Sequence, residues 1–128
     1  MDALVGTSFG VFQLDLDEET AEPAPDCELS GTQPDVSLPL LVAADAAGSR
    51  IVAVVARRPP LVLSDDAGIT WREIGGGLPA GRAVALDPDR PDRILFGSES
   101  RVYVSEDGGR FWRVLELELI GITALEFS

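Results

Sequence analysis

Short apolar segments alternate with polar or glycine- and proline-rich turns along most of the chain. Leu61-Val62-Leu63 runs directly into the turn residues 64–68, and Val102-Tyr103-Val104 runs into the turn residues 105–109. Apolar runs this short, bounded by turn residues, are typical of β-strands joined by hairpins. The pattern therefore predicts an all-β protein.

The two polar turns belong to one motif that repeats. Residues Ser64 to Trp71 return as Ser105 to Trp112, an offset of 41 residues. Both copies read Ser-x-Asp-x-Gly-x-x-Trp, and the apolar residues before them align as well. A repeat of this length is typical of propeller blades, in which each unit packs against its neighbours.

The repeat divides the chain into three predicted blades of four antiparallel strands, one of them split between the two ends of the chain. Small and β-branched residues are expected in the innermost strand of each blade, where space is shortest. The predicted parts are a blade at 38–76, a blade at 82–118, and a split blade made of 3–14 and 122–127. Residues 23–36 are rich in loop formers and are interpreted as an extended connection. Residues 1–128 are thus expected to form one half-propeller domain.

The motif resembles the Asp-box, or bacterial neuraminidase repeat, of β-propeller proteins. Similar repeats occur in sialidases, sortilin-type receptors, some xyloglucan-cleaving hydrolases and photosystem II assembly factor-like propellers. The first copy matches completely, whereas the second has Phe111 where Thr or Ser is usual. The resemblance covers residues 38–128 and part of 3–14. It implies a propeller fold, and a structural rather than catalytic role for the motif.

The motif residues are expected to clip the turn between the third and fourth strands of a blade. The Asp carboxylates can accept hydrogen bonds from unpaired N–H groups, the Gly residues permit an unusual backbone, and the Trp rings can pack between blades. The residues concerned are Ser64, Asp66, Gly68, Thr70, Trp71, Ser105, Asp107, Gly109 and Trp112. The functional alternative is that the carboxylates serve as catalytic acids or calcium ligands.

Charge and composition exclude several classes of protein. The formal net charge is -12, with ten Arg, no Lys and no His, which opposes binding to nucleic acid. No apolar run approaches the length of a membrane span. The N-terminus lacks a basic region followed by a long apolar segment, so no signal peptide is predicted and a cytoplasmic location is expected.

Catalytic and cofactor motifs are mostly missing. Without His, Ser-His-Asp and Cys-His arrangements are impossible, and Cys27 alone cannot form a disulfide or a zinc site. Residues 75–77 are three glycines without the Lys and Ser/Thr of a phosphate loop, and no cofactor is expected. Tyr103, the only Tyr, aligns with Val62 and is interpreted as a packing residue. A glycosidase pair among the 22 acidic residues stays open.

Three arginines mark a candidate binding face. In a four-stranded meander, the turns between strands two and three lie at the end opposite the Asp motifs, and these turns hold Arg57, Arg58 and Arg101. An ordinary exposed turn is the alternative explanation for them. The acidic run 15–28 is interpreted as a solvated loop; calcium binding is the other possibility, although the spacing does not match an EF-hand.

The blade count raises a closure problem. Propellers close with about four to eight blades, and three would leave edges and apolar faces exposed. A homodimer would supply six, with 122–127 of one chain pairing with 3–7 of the other. A longer propeller, or a different protein at the open edges, are the alternatives. The function expected is a non-enzymatic scaffold or protein-binding module; the alternative is a subunit or remnant of a carbohydrate-active hydrolase.

Overall fold

The computed structural model describes residues 2–30 and 33–128. Met1, which belongs to the predicted domain, and Gly31 and Thr32, which belong to the predicted connection 23–36, lie outside the described residues. The described residues form twelve β-strands and no helix, which confirms the all-β prediction. The strands are β1 (Asp2–Thr7), β2 (Gly10–Asp15), β3 (Thr20–Pro23), β4 (Leu41–Ala47), β5 (Arg50–Val55), β6 (Leu61–Ser64), β7 (Arg72–Ile74), β8 (Ala83–Leu86), β9 (Ile94–Gly97), β10 (Val102–Ser105), β11 (Arg113–Val114) and β12 (Ile122–Phe127). Within this part of the chain, no helix is long and apolar enough to cross a membrane.

The strands form three four-stranded antiparallel sheets. Sheet 1 has the order β12-β1-β2-β3, sheet 2 the order β4-β5-β6-β7, and sheet 3 the order β8-β9-β10-β11. Short turns connect neighbouring strands, and β-branched residues such as Val52 and Val54 supply the pleated surfaces that pack the sheets together. The split sheet therefore includes a fourth strand, β3, which the sequence specified poorly.

The pairing of β12 with β1 lies within one chain. Residues Ala3 to Thr7 pair with 122–127, in the register Ala3↔Phe127 and Val5↔Leu125. The sequence-based expectation is that 122–127 pairs with 3–7 of a second chain; within the single chain the same two segments pair with each other. The physical reason is reach, because the turn before β12 already lies beside β1: Ser8 N–H donates to the carbonyl of Gly121 at 3.0 Å.

Sheet 3 lies between the other two sheets and is covered on both faces. Its strand β8 alternates: Val84 and Leu86 face sheet 2, whereas Ala83 and Ala85 face sheet 1. The core between sheets 2 and 3 contains Val52, Val54, Leu61, Leu63, Leu78, Val84, Leu86, Ile94 and Phe96. The core between sheets 3 and 1 contains Ala3, Val5, Leu14, Leu16, Ala83, Ala85, Leu95, Val102, Val104, Leu115, Ile122 and Leu125. β8 also contacts β4 and β12, so the first strands of the three sheets lie side by side.

Sheets 1 and 2 each have an outward face that no other sheet covers, and the two faces differ. The outward face of sheet 2 is apolar, with Ala53, Val55 and Val62 buried beneath Val36 and Leu38 of the connection between β3 and β4. The outward face of sheet 1 is polar, and a groove of about 190 Å³ on it is lined by Asp2, Gln13, Asp15, Thr20 and Glu22. The connection thus shields apolar surface that a lone sheet would expose to water.

The antiparallel order gives the molecule two distinct ends. We call the end formed by the turns 64–71 and 105–112 the Ser-Asp end; it also holds the β4–β5 and β8–β9 turns. The other end, called the arginine end, holds the turns 56–60 and 98–101 and the connections that follow β7 and β11. The two sets of sequence-predicted residues therefore lie at opposite ends.

Candidate binding face

The first Ser-Asp turn, residues 64–71, is held by hydrogen bonds to two side chains. The buried Ser64 hydroxyl donates to Asp66 Oδ1 at 2.7 Å and accepts the Gly68 N–H at 2.8 Å. The Asp66 carboxylate also accepts the Thr70 N–H at 2.9 Å and the Thr70 hydroxyl at 2.6 Å. Together these bonds satisfy N–H groups that a tight turn leaves without strand partners.

The second Ser-Asp turn, residues 105–112, repeats this geometry with one difference. Ser105 Oγ donates to Asp107 Oδ1 at 2.9 Å and accepts the Gly109 N–H at 2.9 Å. Asp107 accepts the backbone N–H groups of Arg110 and Phe111. Because Phe111 stands where the first turn has Thr70, Asp107 receives no hydroxyl at that position.

The carboxylates of both turns are held in the ionised form. The Thr70 hydroxyl, together with the Thr70 N–H and the Ser64 hydroxyl, lowers the pKa of Asp66 to about 2. The Phe111 N–H is the largest cause of the lowered pKa of Asp107. A carboxyl with so low a pKa holds no proton at neutral pH, so Asp66 is unsuited to serve as a general acid.

The two tryptophans contact different surroundings. Each indole N–H donates to the backbone of its own turn, Trp71 to Gly68 O and Trp112 to Gly109 O, both at 3.1 Å. Trp112 packs against the core between sheets 2 and 3, with its ring 6.2 Å from that of Phe96. Trp71 packs instead against the outward face of sheet 2, so of the two rings expected between blades only Trp112 lies between sheets.

Ion pairs tie the Ser-Asp end together across sheets 2 and 3. The Arg50 guanidinium binds Asp65 at 2.7 Å and Asp92 at 2.9 Å, and it donates to the Pro91 carbonyl. Asp65 also binds Arg72 at 2.8 Å. Most of the charged side chains described here therefore already have partners within the molecule.

The three arginines of the predicted binding face are not brought to one site. Arg101 donates to the carbonyls of Leu115 and Glu116 and lies 3.8 Å from the Glu118 carboxylate. Arg57 lies 3.4 Å from Glu73 of β7. Arg58 is exposed and makes no hydrogen bond or ion pair with any described residue. Arg101 thus stabilises its own sheet, whereas the Arg57–Arg58 pair faces solvent.

An apolar groove lies beside Arg57 and Arg58. It has a volume of about 270 Å³, and its wall is made of Val42, Val55, Ala56, Arg57, Arg58, Ala80 and Gly81. The adjoining start of β4 exposes three apolar residues in succession, with exposed fractions of 61% for Leu40, 37% for Leu41 and 42% for Val42. Leu40 also has a φ of 60°, which is rare for a residue with a branched side chain. Sequence reasoning indicated the arginines here but missed this apolar surface, because Leu40 to Val42 lie within the predicted blade 38–76 and look like ordinary strand residues.

A second groove, which sequence reasoning missed, lies where β4, β8 and β12 meet. It has a volume of about 110 Å³ and includes Asp45, Glu126, Gln33 and Thr123 in its wall. Burial raises the pKa of Asp45, opposed by hydrogen bonds from the N–H groups of Leu86 and Ala46, and the charge of Glu126 raises it further. Glu126 accepts the Ser30 N–H at 2.7 Å, and Gln33 Oε1 accepts the Ala44 N–H at 3.3 Å. The available signal was an acidic residue within each of two largely apolar strands, Asp45 in β4 and Glu126 in β12.

The acidic run 15–28 shows no metal-site geometry. Asp15 Oδ1 accepts the N–H groups of Asp17 and Glu18, which closes the β2–β3 turn. Throughout residues 2–30 and 33–128, no three His, Cys, Asp or Glu side chains come together in a way that could hold a metal ion.

No protein-family model matches this chain, and no curated protein sequence matches it.

Proposed function

We propose that this chain is a non-enzymatic protein-binding module of the Asp-box propeller type, and that it binds its partner at the arginine end of sheet 2. The observation that carries the proposal is the contrast between the two ends. At the Ser-Asp end, turn carboxylates and ion pairs satisfy one another. At the arginine end, an unpartnered Arg58 adjoins an apolar groove and the exposed run Leu40 to Val42.

Exposed apolar residues in succession support a binding role. Isolated apolar residues are common on protein surfaces, and Ile69 and Phe111 at the Ser-Asp end are of this kind. Contiguous apolar surface edged by charge is more typical of interaction sites, in which aromatic and arginine-rich cores are favoured. The groove fits that description, because its apolar wall includes Val42 and Val55 and it is edged by Arg57 and Arg58.

Site-specific capture tests this function. The double variant Arg57→Gln, Arg58→Gln should lose proteins that the wild-type chain retains from a lysate of its host. The matched control, Arg90→Gln with Arg110→Gln, removes the same charge from exposed residues at the Ser-Asp end. Equal capture by the two double variants would contradict the proposal.

One observation favours the alternative, a carbohydrate-active hydrolase or its remnant. Asp45 and Glu126 line one groove, and burial raises the pKa of Asp45, which is the direction that a general acid requires. Both carboxylates, however, are already bound to backbone N–H groups. A panel of chromogenic glycosides tests this alternative: turnover that Asp45→Asn and Glu126→Gln both abolish would establish it and overturn the non-enzymatic proposal.

A six-bladed ring of two chains stays a prediction, with a changed interface. Since β12 already pairs with β1 in its own chain, the outward face of sheet 2 would have to pack against the outward face of sheet 1 of the second copy. Val36 and Leu38 cover the first of these faces, and carboxylates occupy the second. Light scattering at micromolar concentration decides: twice the 13.6 kDa chain mass supports the ring, and the single mass contradicts it.

A further inference from the structure

At the arginine end of sheet 3, Arg101 binds a segment of the chain itself. The connection after β11 reads Leu115-Glu116-Leu117-Glu118-Leu119, so that carboxylates alternate with apolar side chains. Arg101 donates to two carbonyls of this segment and pairs with Glu118. Leu115 is buried in the core between sheets 3 and 1, and Leu117 and Leu119 pack against that core. An acidic and apolar segment is therefore held by one arginine together with an apolar surface.

Sheet 2 has the arginines but lacks such a segment. At the repeat offset of 41 residues, Leu115-Glu116-Leu117-Glu118 corresponds to Ile74-Gly75-Gly76-Gly77. No carboxylate occurs between residues 75 and 81, so the connection after β7 offers nothing to Arg58. A Cβ placed on Gly76 would have no atom within 4 Å, so the space beside the connection is open.

The groove supplies the apolar part of the same arrangement. Its wall combines Arg57 and Arg58 with Val42, Val55 and Ala80. The net charge of the chain is -12, so an acidic ligand is repelled by the molecule as a whole, and at this groove the attraction must come from Arg57 and Arg58. Specific binding would consequently depend on Arg57 and Arg58.

We propose, building on the function proposed above, that this groove binds an extended segment of a partner protein in which carboxylates alternate with apolar side chains. The segment offers Arg57 and Arg58 the combination of carboxylates and apolar side chains that residues 115–119 offer Arg101 and the core beside it. Its carboxylates pair with Arg57 and Arg58, and an apolar side chain enters the groove beside Val42. The chain's own segment does not serve as the ligand of a second copy, because Arg101 and the core hold it in place.

The probe is a fluorescein-labelled peptide with the sequence of residues 115–120, Leu-Glu-Leu-Glu-Leu-Ile, flanked by Gly-Ser for solubility. Fluorescence anisotropy with the full chain should show saturable binding. The Arg57→Gln, Arg58→Gln variant should bind roughly tenfold more weakly, as expected for the loss of two exposed charge pairs. The control Arg90→Gln, Arg110→Gln should bind like the wild type. Melting temperatures of both variants check that the fold is kept.

The two chemical components are separated by peptide and protein variants. A peptide with Gln for both Glu, and a peptide with Ser for the apolar residues, should each bind more weakly than the parent. Val42→Ser should weaken binding of the parent peptide, whereas Ile69→Ser, an exposed apolar residue at the Ser-Asp end, should not. Equal affinities of the two arginine variants, or of the parent and Gln peptides, would overturn the proposal.

The outcome also separates this proposal from the function on which it rests. If the peptide fails to bind at millimolar concentration while capture from lysate still depends on Arg57 and Arg58, the acidic and apolar ligand is wrong and the binding module stands. If that capture fails too, both proposals fail. Self-association of the wild type that Arg57→Gln, Arg58→Gln abolishes would overturn the assignment to a partner protein, since the occupant would be a second copy.

Discussion

The two Ser-Asp turns share their serine hydrogen bonds and have different neighbours. Ser64 and Ser105 accept equivalent glycine N–H groups at 2.8 and 2.9 Å. The second turn, however, packs against β7 of sheet 2, whereas the first packs against an outward sheet face that only a chain connection covers. The motif therefore specifies a turn by itself, and its contribution to packing depends on what lies beside it.

Replacing the glycine of each turn with alanine should have the largest effect on stability, and the effect should differ between the two turns. Gly68 and Gly109 have φ values of 94° and 92°, so alanine is strained at both, by about 1–2 kcal/mol. A Cβ on Gly109 would also lie 2.7 Å from Cδ1 of Ile74, whereas one on Gly68 would come no closer than 3.6 Å to Trp71. Gly109→Ala should therefore lower the free energy of unfolding by about 3 kcal/mol, overpacking included.

Urea denaturation of Gly68→Ala, Gly109→Ala and the wild type measures the difference. The control compares Gly109→Ala, Ile74→Ala with Ile74→Ala alone. Because the clash is absent from both, the glycine substitution should there cost only the strain of the backbone. Equal losses for the two single variants would show that the neighbouring sheet does not matter to the turn.

The second effect concerns the two tryptophans. Trp112 packs within the core between sheets 2 and 3 and makes an edge-on contact with Phe96, whereas Trp71 packs against the outward face of sheet 2. Trp112→Ala should cost about 2–3 kcal/mol, toward the lower end for aromatic truncation since the ring is only half-buried. Trp71→Ala should cost about 1 kcal/mol less.

Phenylalanine at the same two positions tests the indole hydrogen bonds separately from the packing of the rings. Both indole N–H groups donate to a backbone carbonyl of their own turn at 3.1 Å, so Trp71→Phe and Trp112→Phe should cost similar amounts, about 1 kcal/mol each. Thermal unfolding of the four variants checks this. If Trp71→Ala proved the more damaging of the two alanine variants, the connection carrying Val36 and Leu38 would pack more tightly than a sheet does.

Local periodicity was sufficient to predict most of the fold. The offset of 41 residues aligned β6 with β10, and the first three strands of each sheet follow from short apolar runs separated by turn residues. The fourth strands, β3, β7 and β11, are short and largely polar, so the pattern indicates them less clearly. The pairing of 122–127 beside residues 3–7 could be predicted from the split repeat. Whether one chain or two would form that pair could not, because it depends on the path of residues 115–121 rather than on any pattern.

The candidate site was predicted only in part, because its parts come from different segments. Arg57 and Arg58 were found from their place in a turn. The groove beside them also needs Val42 and Ala80, which are distant in sequence and look like ordinary strand and loop residues. The contacts of Arg101 could not be predicted for the same reason, since its partners Leu115 and Glu118 belong to a connection whose path was not predictable.

The smallest effect concerns the residue in which the two turns differ, Thr70 against Phe111. The Thr70 hydroxyl is the largest cause of the low pKa of Asp66, about 2 against an ordinary value of 3.8. Since the folded pKa is the lower one, the ionised carboxylate stabilises the fold above about pH 4, and this contribution is lost as the pH falls toward 2. Thr70→Val should raise the pKa of Asp66 toward 3.8 and so reduce the loss of stability in that window.

The reverse exchange makes the second turn resemble the first. Phe111→Thr removes a side chain that is 79% exposed, so little packing is lost, and it places a hydroxyl where Asp107 can accept it. The pKa of Asp107, already lowered by the Phe111 N–H, should fall further. Carboxyl NMR titration follows both residues, with Thr70→Ser as the control that keeps the hydroxyl. An Asp66 pKa that is the same in Thr70→Val and the wild type would show that the backbone N–H groups, which both turns share, hold the carboxylate without the hydroxyl.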